Sequence, residues 1–525
     1  MTKSLTTSLR RGAIALLLSA TALAAPGQAN TADKPTVATL HAGQSGPVYH
    51  REIFTQFAEQ LGHGIYGGLW VGKDSKIPNT DGFRNDVIGA LRELRVPVIR
   101  WPGGCYADQY HWRDGIGPQK DRPVRVNTSW GGVTDPNTVG TDEYFDLLRL
   151  IGAKAYVSAD VGDASPGEMT DWVQYMTAPA GTLADERAGN GHKAPYELPF
   201  FGIGNELWGC GGNMRPEYAA DVTRRYATFV KVPDGTKTLK IASGANTDDY
   251  NWTETMMRIA GDQIDGLSLH YYTLPDGGWP PHTDPIHFDE TGWADALAQA
   301  EHIDELITKH SAIMDKYDPK KRVILAVDEW GAWYQQDPGT HPGFLRQQNS
   351  LRDAMIASTT LDIFARHADR VRMSAIAQMV NVLQAMILTD DARMVRTPTY
   401  WVYYLYKPWQ DATVLPIEID TPNYTQGKFS IPAVSSSAVR GKDGRVHVAL
   451  SNVDPDHANT VTVALDGVSA SSVSGAILTA PAITSHNTFD DPDAVKPAAF
   501  TGARIEGGKL VVAMPAKSIV VLTLQ

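Results

Sequence analysis

Between Gly64 and about Trp409, short apolar runs recur with helical patterns between them, and this alternation limits the chain to few architectures. The runs are Ile65-Tyr66-Gly67-Gly68-Leu69, Val98-Ile99-Arg100, Ala155 to Ala159, Phe200 to Gly204, Ile241-Ala242-Ser243, Gly266 to His270, Val323 to Val327 and Ala375 to Gln378. Eight such runs predict an α/β fold, a (β/α)8 TIM barrel with its helices outside. Leu297, Ala300, Ile303, Leu306, Ile307, Ile313 and Met314 make an apolar stripe at helical spacing in one intervening segment. A doubly wound open sheet is the rival, but Gly67-Gly68 opens no nucleotide-type loop after the first run.

After Asp411 the period changes to two, as in Arg445 to Leu450, Thr460 to Leu465 and Leu510-Val511-Val512, with Asp443-Gly444 as a hairpin turn. That pattern predicts a C-terminal β-sandwich. The expected division is residues 1–29 as a signal peptide, 30–50 as a segment joining the sandwich, 51–410 as the catalytic barrel and 411–525 as the sandwich.

A chain of 525 residues is longer than one core usually organises. Its net charge of −12 argues against nucleic acid or an anionic membrane as partner, since phosphate binding needs clustered Lys and Arg. Lys3, Arg10 and Arg11, then the apolar Ala13 to Leu23, then Gly27-Gln28-Ala29 read as a secretory signal, so the expectation is an exported, periplasmic or extracellular protein. Arg10-Arg11 hints at twin-arginine export, but the following residues do not continue that motif. No later apolar run is long enough to span a bilayer. Cys105 and Cys210 are the only cysteines, which excludes a Cys-rich metal site; spacing leaves open whether they pair.

Two segments carry the chemistry. Gly204-Asn205-Glu206-Leu207-Trp208-Gly209 and Val327-Asp328-Glu329-Trp330-Gly331 each place a glutamate at the end of an apolar run. In the barrel register Glu206 ends the fourth strand and Glu329 the seventh, both at the C-terminal rim where barrel active sites lie. Retaining glycoside hydrolysis needs two such carboxyls about 5–5.5 Å apart, one to donate a proton and one to attack. Asn205 is placed to hydrogen-bond a sugar hydroxyl, and Trp208 and Trp330 to supply flat apolar walls. Arg100, after the second run, is placed to hold a carboxylate ionised. His270 follows the sixth run without two further ligands at metal-binding spacing, so it reads as a packed residue or a hydrogen-bond organiser.

These segments closely resemble the α-L-arabinofuranosidases of glycoside hydrolase family 51. The resemblance extends over Arg100 to Trp112, Gly204 to Met214, Asp328 to Trp333, Pro342 to Ala354 and Ala377 to Leu388. It implies a retaining enzyme without metal or organic cofactor, acting on arabinose-containing oligo- or polysaccharides, and a homo-oligomer, with a hexamer among its forms. By resemblance Glu206 is the acid/base and Glu329 the nucleophile, with Glu59, Arg100, Cys105, Asn205, Tyr272 and Gln378 at sugar-contacting positions. Asp142, Asp160, Ala375 and Trp401 depart from the family pattern and are expected around the cleft. The function expected is release of terminal α-L-arabinofuranosyl groups from arabinan, arabinoxylan or their oligosaccharides. The alternatives are an endo-acting glucanase or xylanase on the same scaffold and a catalytically silent carbohydrate-binding protein.

Overall fold

The computed structural model describes residues 35–525, so the segment read as an export signal lies outside the described residues. Eight parallel strands close into a barrel. In chain order they are Thr55–Phe57, Val98–Trp101, Lys154–Ala159, Phe200–Ile203, Leu239–Asn246, Gly266–Thr273, Ile324–Ala332 and Val371–Ile376, each hydrogen-bonded to its sequential neighbours, the eighth closing on the first. Seven of them coincide with the apolar runs. The first does not: Ile65 to Leu69 forms a turn-rich loop bridged at Tyr66 and Trp70, and the first strand lies ten residues earlier. Thr55 and Gln56 are completely buried polar residues, so this three-residue strand carries no apolar signature.

The apolar stripe lies on the helix Glu290–Tyr317, where Leu297, Ala300, Ile303, Leu306, Ile307 and Met314 are buried. Its N-terminus is capped by Asp289, whose carboxylate accepts from Gly292 N at 3.0 Å. The helix Leu351–Arg366 is buried nearly all round. Ser350 N donates to Asp353 at 2.6 Å at its start, satisfying backbone that water cannot reach.

Two sheets form the sandwich. One orders its strands Ile417–Asp420, Thr36–His41, Asn459–Asp466, Lys509–Met514 and Ala503–Glu506; the other contains Val434–Arg440, Val446–Asn452, Ser518–Leu524 and Val473–Leu478. Thr36–His41 runs parallel to Asn459–Asp466, so the N-terminal segment enters the sandwich before the chain builds the barrel. Leu40, Val448, Leu450, Val463, Leu510 and Leu522 fill the space between the sheets. The helix Leu351–Arg366 meets this unit: Asp362 accepts from Ser435 Oγ at 2.9 Å, Ser437 Oγ at 2.5 Å and Tyr406 OH at 2.9 Å. Among the described residues no helix is long and apolar enough to cross a membrane.

Candidate active site

At the C-terminal rim the fourth strand ends in a tight turn. Gly204 has φ +74° and Glu206 φ +45°, and a left-handed backbone at a glutamate is a strain of order 1 kcal/mol that surrounding contacts must hold. Leu207 anchors the turn in the core and its N–H donates to Ser243 Oγ at 3.2 Å. Asp108 secures it from the other side, accepting from Asn205 N at 2.9 Å, Val161 N at 2.8 Å and Gly162 N at 2.9 Å. Burial still pushes the Asp108 carboxyl up to about 7, outweighing those three donors. Gly211 packs so closely that a Cβ there would lie 2.0 Å from Asn205 O.

Glu329 is held differently, inside the seventh strand. Arg100 Nη1 donates to its Oε1 at 2.7 Å and Tyr272 OH to its Oε2 at 2.8 Å. The Arg100 guanidinium also donates to Asn205 Oδ1 at 2.5 Å and to Asp328 O at 3.2 Å, and lies 4.5 Å from the centre of the Phe57 ring. This one cation links the two glutamate-bearing segments.

His270 stands between the carboxylates. Its Nδ1 lies 2.9 Å from Glu206 Oε1 and 3.5 Å from Glu329 Oε2, and its Nε2 3.3 Å from Asp328 Oδ1. Burial alone would push the imidazole down, but Glu329, Asp328 and Glu206 together hold it at about 10, so it is an imidazolium at neutral pH. Asp328 is driven the opposite way, below the usual range, because Arg100 and His270 outweigh its burial. Glu206 is raised, first by burial and then by the Glu329 charge, against the opposing hydrogen bond from His270. An oxygen of Glu206 and one of Glu329 lie within 4.8 Å of each other, with His270 Nδ1 inside the same radius. A protonated imidazole and hydrogen-bonded carboxylates are a poor ligand set for a cation.

Glu59, following the first strand, is locked at the floor of the pocket. It accepts from Tyr106 N at 3.0 Å, Trp130 Nε1 at 2.8 Å and Gln378 Nε2 at 2.9 Å, while burial pushes it up to about 7. A Cβ on Gly104 would lie 2.7 Å from its carboxylate oxygens. Glu59, Cys105, Glu206, Tyr272, Glu329 and Gln378 thus converge on one pocket, with Arg100 and Asn205 directly behind.

The structure moves other expected residues away. Trp330 is 1% exposed and packs edge-on against Phe364, because strand alternation turns it to the helix layer when Glu329 faces inward. Trp208 is half-buried, its Nε1 donating to Gly244 O at 3.1 Å, and does not line the pocket. The apolar walls are Trp130 and Trp333 with Leu345 and Leu383, all from loops without a periodic pattern. Trp333 packs 5.0 Å from Tyr272 and 4.9 Å from the exposed Trp279. Asp142, Asp160, Ala375 and Trp401 do not line the pocket; Asp142, for example, lies on the helix Thr141–Ile151 and accepts from Tyr175 and Tyr196. Cys105 and Cys210 are joined in a disulfide beside Glu206. A larger concavity bordered by Arg51, Lys407, Lys442 and Asp443 offers no facing carboxylates.

Comparison with known proteins gives the chain its family. Residues 90–283 match the family description "Alpha-L-arabinofuranosidase 1 domain" and residues 328–518 "Alpha-L-arabinofuranosidase C-terminal domain". The chain is 47% identical over 97% of its length to the full length of an intracellular exo-α-L-arabinofuranosidase of Bacteroides ovatus. A crystal structure of the GH51 arabinofuranosidase from Xanthomonas axonopodis pv. citri superposes with a TM-score of 0.93 at 59% identity, covering 94% of this chain and 100% of that one. The arabinose complex of the Thermotoga maritima α-L-arabinofuranosidase gives 0.82 at 27% identity, covering 93% and 99%. The expectation of export is corrected here: the Bacteroides relative is named intracellular over a full-length match. A short apolar stretch behind basic residues is a compositional signal, which other N-terminal segments also satisfy. The chain belongs to the α-L-arabinofuranosidases of glycoside hydrolase family 51.

Proposed function

We propose that the protein removes terminal non-reducing α-L-arabinofuranosyl groups from arabinan, arabinoxylan or their oligosaccharides with retention, using Glu329 as nucleophile and Glu206 as acid/base. The observation that carries this reading is that the two carboxylates face one another across a single imidazole nitrogen, His270 Nδ1 lying 2.9 Å from Glu206 Oε1 and 3.5 Å from Glu329 Oε2, a close approach that suits a retaining pair. Glu329 receives Arg100 and Tyr272 as donors and is fixed on a strand, which suits an attacking anion. Glu206 is raised, and its side chain is 17% exposed against 6% for Glu329, which suits a group that must later meet water.

Glu329 attacks the anomeric carbon as Glu206 protonates the departing oxygen. The ester then formed removes the Glu329 charge, and with it one of the causes that raise Glu206, so Glu206 stays ionised after giving up its proton and is available to take one from the water that frees arabinose. His270 remains a donor to Glu206 through both steps. Glu59 and Gln378, already paired, present a fixed polar floor to the sugar hydroxyls, and Trp130 and Trp333 its apolar walls.

The test is E329A with an aryl α-L-arabinofuranoside and external azide. Turnover is expected to vanish and azide to restore a glycosyl azide of inverted configuration; wild-type-like hydrolysis by E329A would remove the assignment. The family also suggests a homo-oligomer, which a solution mass by light scattering decides.

A further inference from the structure

Nothing in the proton and nucleophile chemistry above requires sulfur, yet both cysteine sulfurs of the chain touch the proposed acid/base. Cys210 Sγ lies 3.4 Å and Cys105 Sγ 3.8 Å from Glu206 Oε2, while the other oxygen, Oε1, is taken by His270. Disulfide sulfur carries no hydrogen. In the bonded state these contacts give Oε2 no donor, a setting that favours the protonated carboxyl, in keeping with the upward shift of Glu206. Breaking the bond converts the same contacts into two S–H groups that can donate to Oε2 and favour the carboxylate.

The two sulfurs are also unequally accessible. Cys210 is exposed in the turn after Glu206, whereas Cys105 is half-buried at the start of the short helix Cys105–Gln109. We propose that Cys105–Cys210 is a thiol–disulfide exchange site, attacked at Cys210 by a small dithiol, whose redox state sets how readily Glu206 gives up its proton. The thiolate of the dithiol attacks Cys210 Sγ, forming a mixed disulfide as the Cys210–Cys105 bond breaks and Cys105 leaves as a thiolate that takes up a proton. The second thiol of the reagent attacks its own sulfur in the mixed disulfide and expels Cys210, also protonated. Two electrons and two protons pass from the dithiol, which becomes a cyclic disulfide. A reducing compartment would hold the pair as dithiol and an oxidising one as disulfide.

The proposal rests on Glu206 being the acid/base, and its test separates the two ideas. Native protein is assayed oxidised and after dithiothreitol, with thiols counted by a chromogenic reagent once the reductant is removed. Two substrates are compared: an arabino-oligosaccharide, whose alkoxide leaving group needs a proton, and a dinitrophenyl arabinofuranoside, whose leaving group does not. Reduction is expected to expose two thiols and to move the alkaline limb of kcat downward. It should slow the oligosaccharide about tenfold at pH values above that limb, the loss that a one-unit shift gives an acid, and leave the dinitrophenyl substrate within about twofold. Reoxidation restores both. C210S, with one hydroxyl donor in place of the sulfur, is expected to behave like the reduced enzyme and to ignore dithiothreitol.

Equal slowing of both substrates would mean that the bond only braces the loops, and would overturn the proposal. So would failure of native protein to yield thiols, or a dithiothreitol response that survives in C210S. If neither redox state releases arabinose, the functional reading falls instead. The exchange proposal is then judged by carboxyl-carbon NMR, where an unmoved Glu206 titration on reduction overturns it.

Discussion

Glu206 and Glu329 are the same residue type at the same rim, and they are held in opposite ways. Glu329 lies within a strand, paired with His270 of the sixth strand and followed by Trp330, which pairs on both sides with Tyr271 and Ile376, and its two oxygens face Arg100 and Tyr272. Glu206 lies past the end of its strand on a left-handed turn, with an imidazolium on one oxygen and sulfur against the other. The contrast teaches how one fold can set two carboxyls apart. On the roles proposed here, the group that attacks is fixed by strand geometry and fed with donors, and the group that exchanges protons with water is put on a turn, raised by burial and left partly open.

The largest effect expected is from removing the proposed attacking group: E329Q should lose at least about 10^4-fold in kcat on every substrate, the order of loss that removing a covalent nucleophile brings. E206A should divide substrates, losing about 10^3-fold on oligosaccharides but far less on a dinitrophenyl arabinofuranoside, and equal losses on both would erase the difference drawn between the two carboxyls. R100A leaves the buried Asp328 and Glu329 with the His270 imidazolium but without the guanidinium, so about a hundredfold or more in kcat/KM should go, more than R100K costs. H270N should cost about tenfold and move the alkaline limb upward, because the hydrogen bond and charge of His270 are what lower Glu206. A downward move would show that His270 acts mainly through Glu329.

A smaller effect lies away from the site. Burial pushes Asp362 up to about 6 despite donors from Ser437, Ser435 and Tyr406. A carboxyl whose folded value is above its unfolded one favours folding most below its unfolded value of about 4, and that stabilisation is lost as pH rises through the folded value. D362N should therefore flatten the decline of Tm between about pH 4 and 6, a contribution on the order of 2–3 kcal/mol. Differential scanning calorimetry of the two proteins across that range is the measurement, and an unchanged slope would show that Asp362 does not titrate there.

The barrel was legible where burial and apolarity coincide. Seven strands are apolar runs because each is buried on both faces, and the first, Thr-Gln-Phe, escaped because its buried groups are polar. Glu206 and Glu329 were legible as residues that interrupt an apolar run at its end. Their walls were not: Trp130 and Trp333 come from loops, and loop residues meet only after the strands have set their distance. Adjacency to Glu329 does not bring Trp330 to the sugar, because successive strand residues face opposite ways. Pairing of Cys105 with Cys210 depends on two turns brought together by strands two and four, which residue spacing does not encode.

The helix Leu351–Arg366 has no side of its own. Its buried surface is shared between the barrel and the sheet carrying Ser435 and Ser437, and Trp293 from the neighbouring helix donates to Val453 O at 2.9 Å across the same seam. The sandwich is therefore the outer bark of the barrel on that flank. Trimming the chain after the last barrel helix would strip an apolar face rather than release an independent enzyme, and any graft of this barrel onto another scaffold has to bring its sandwich along.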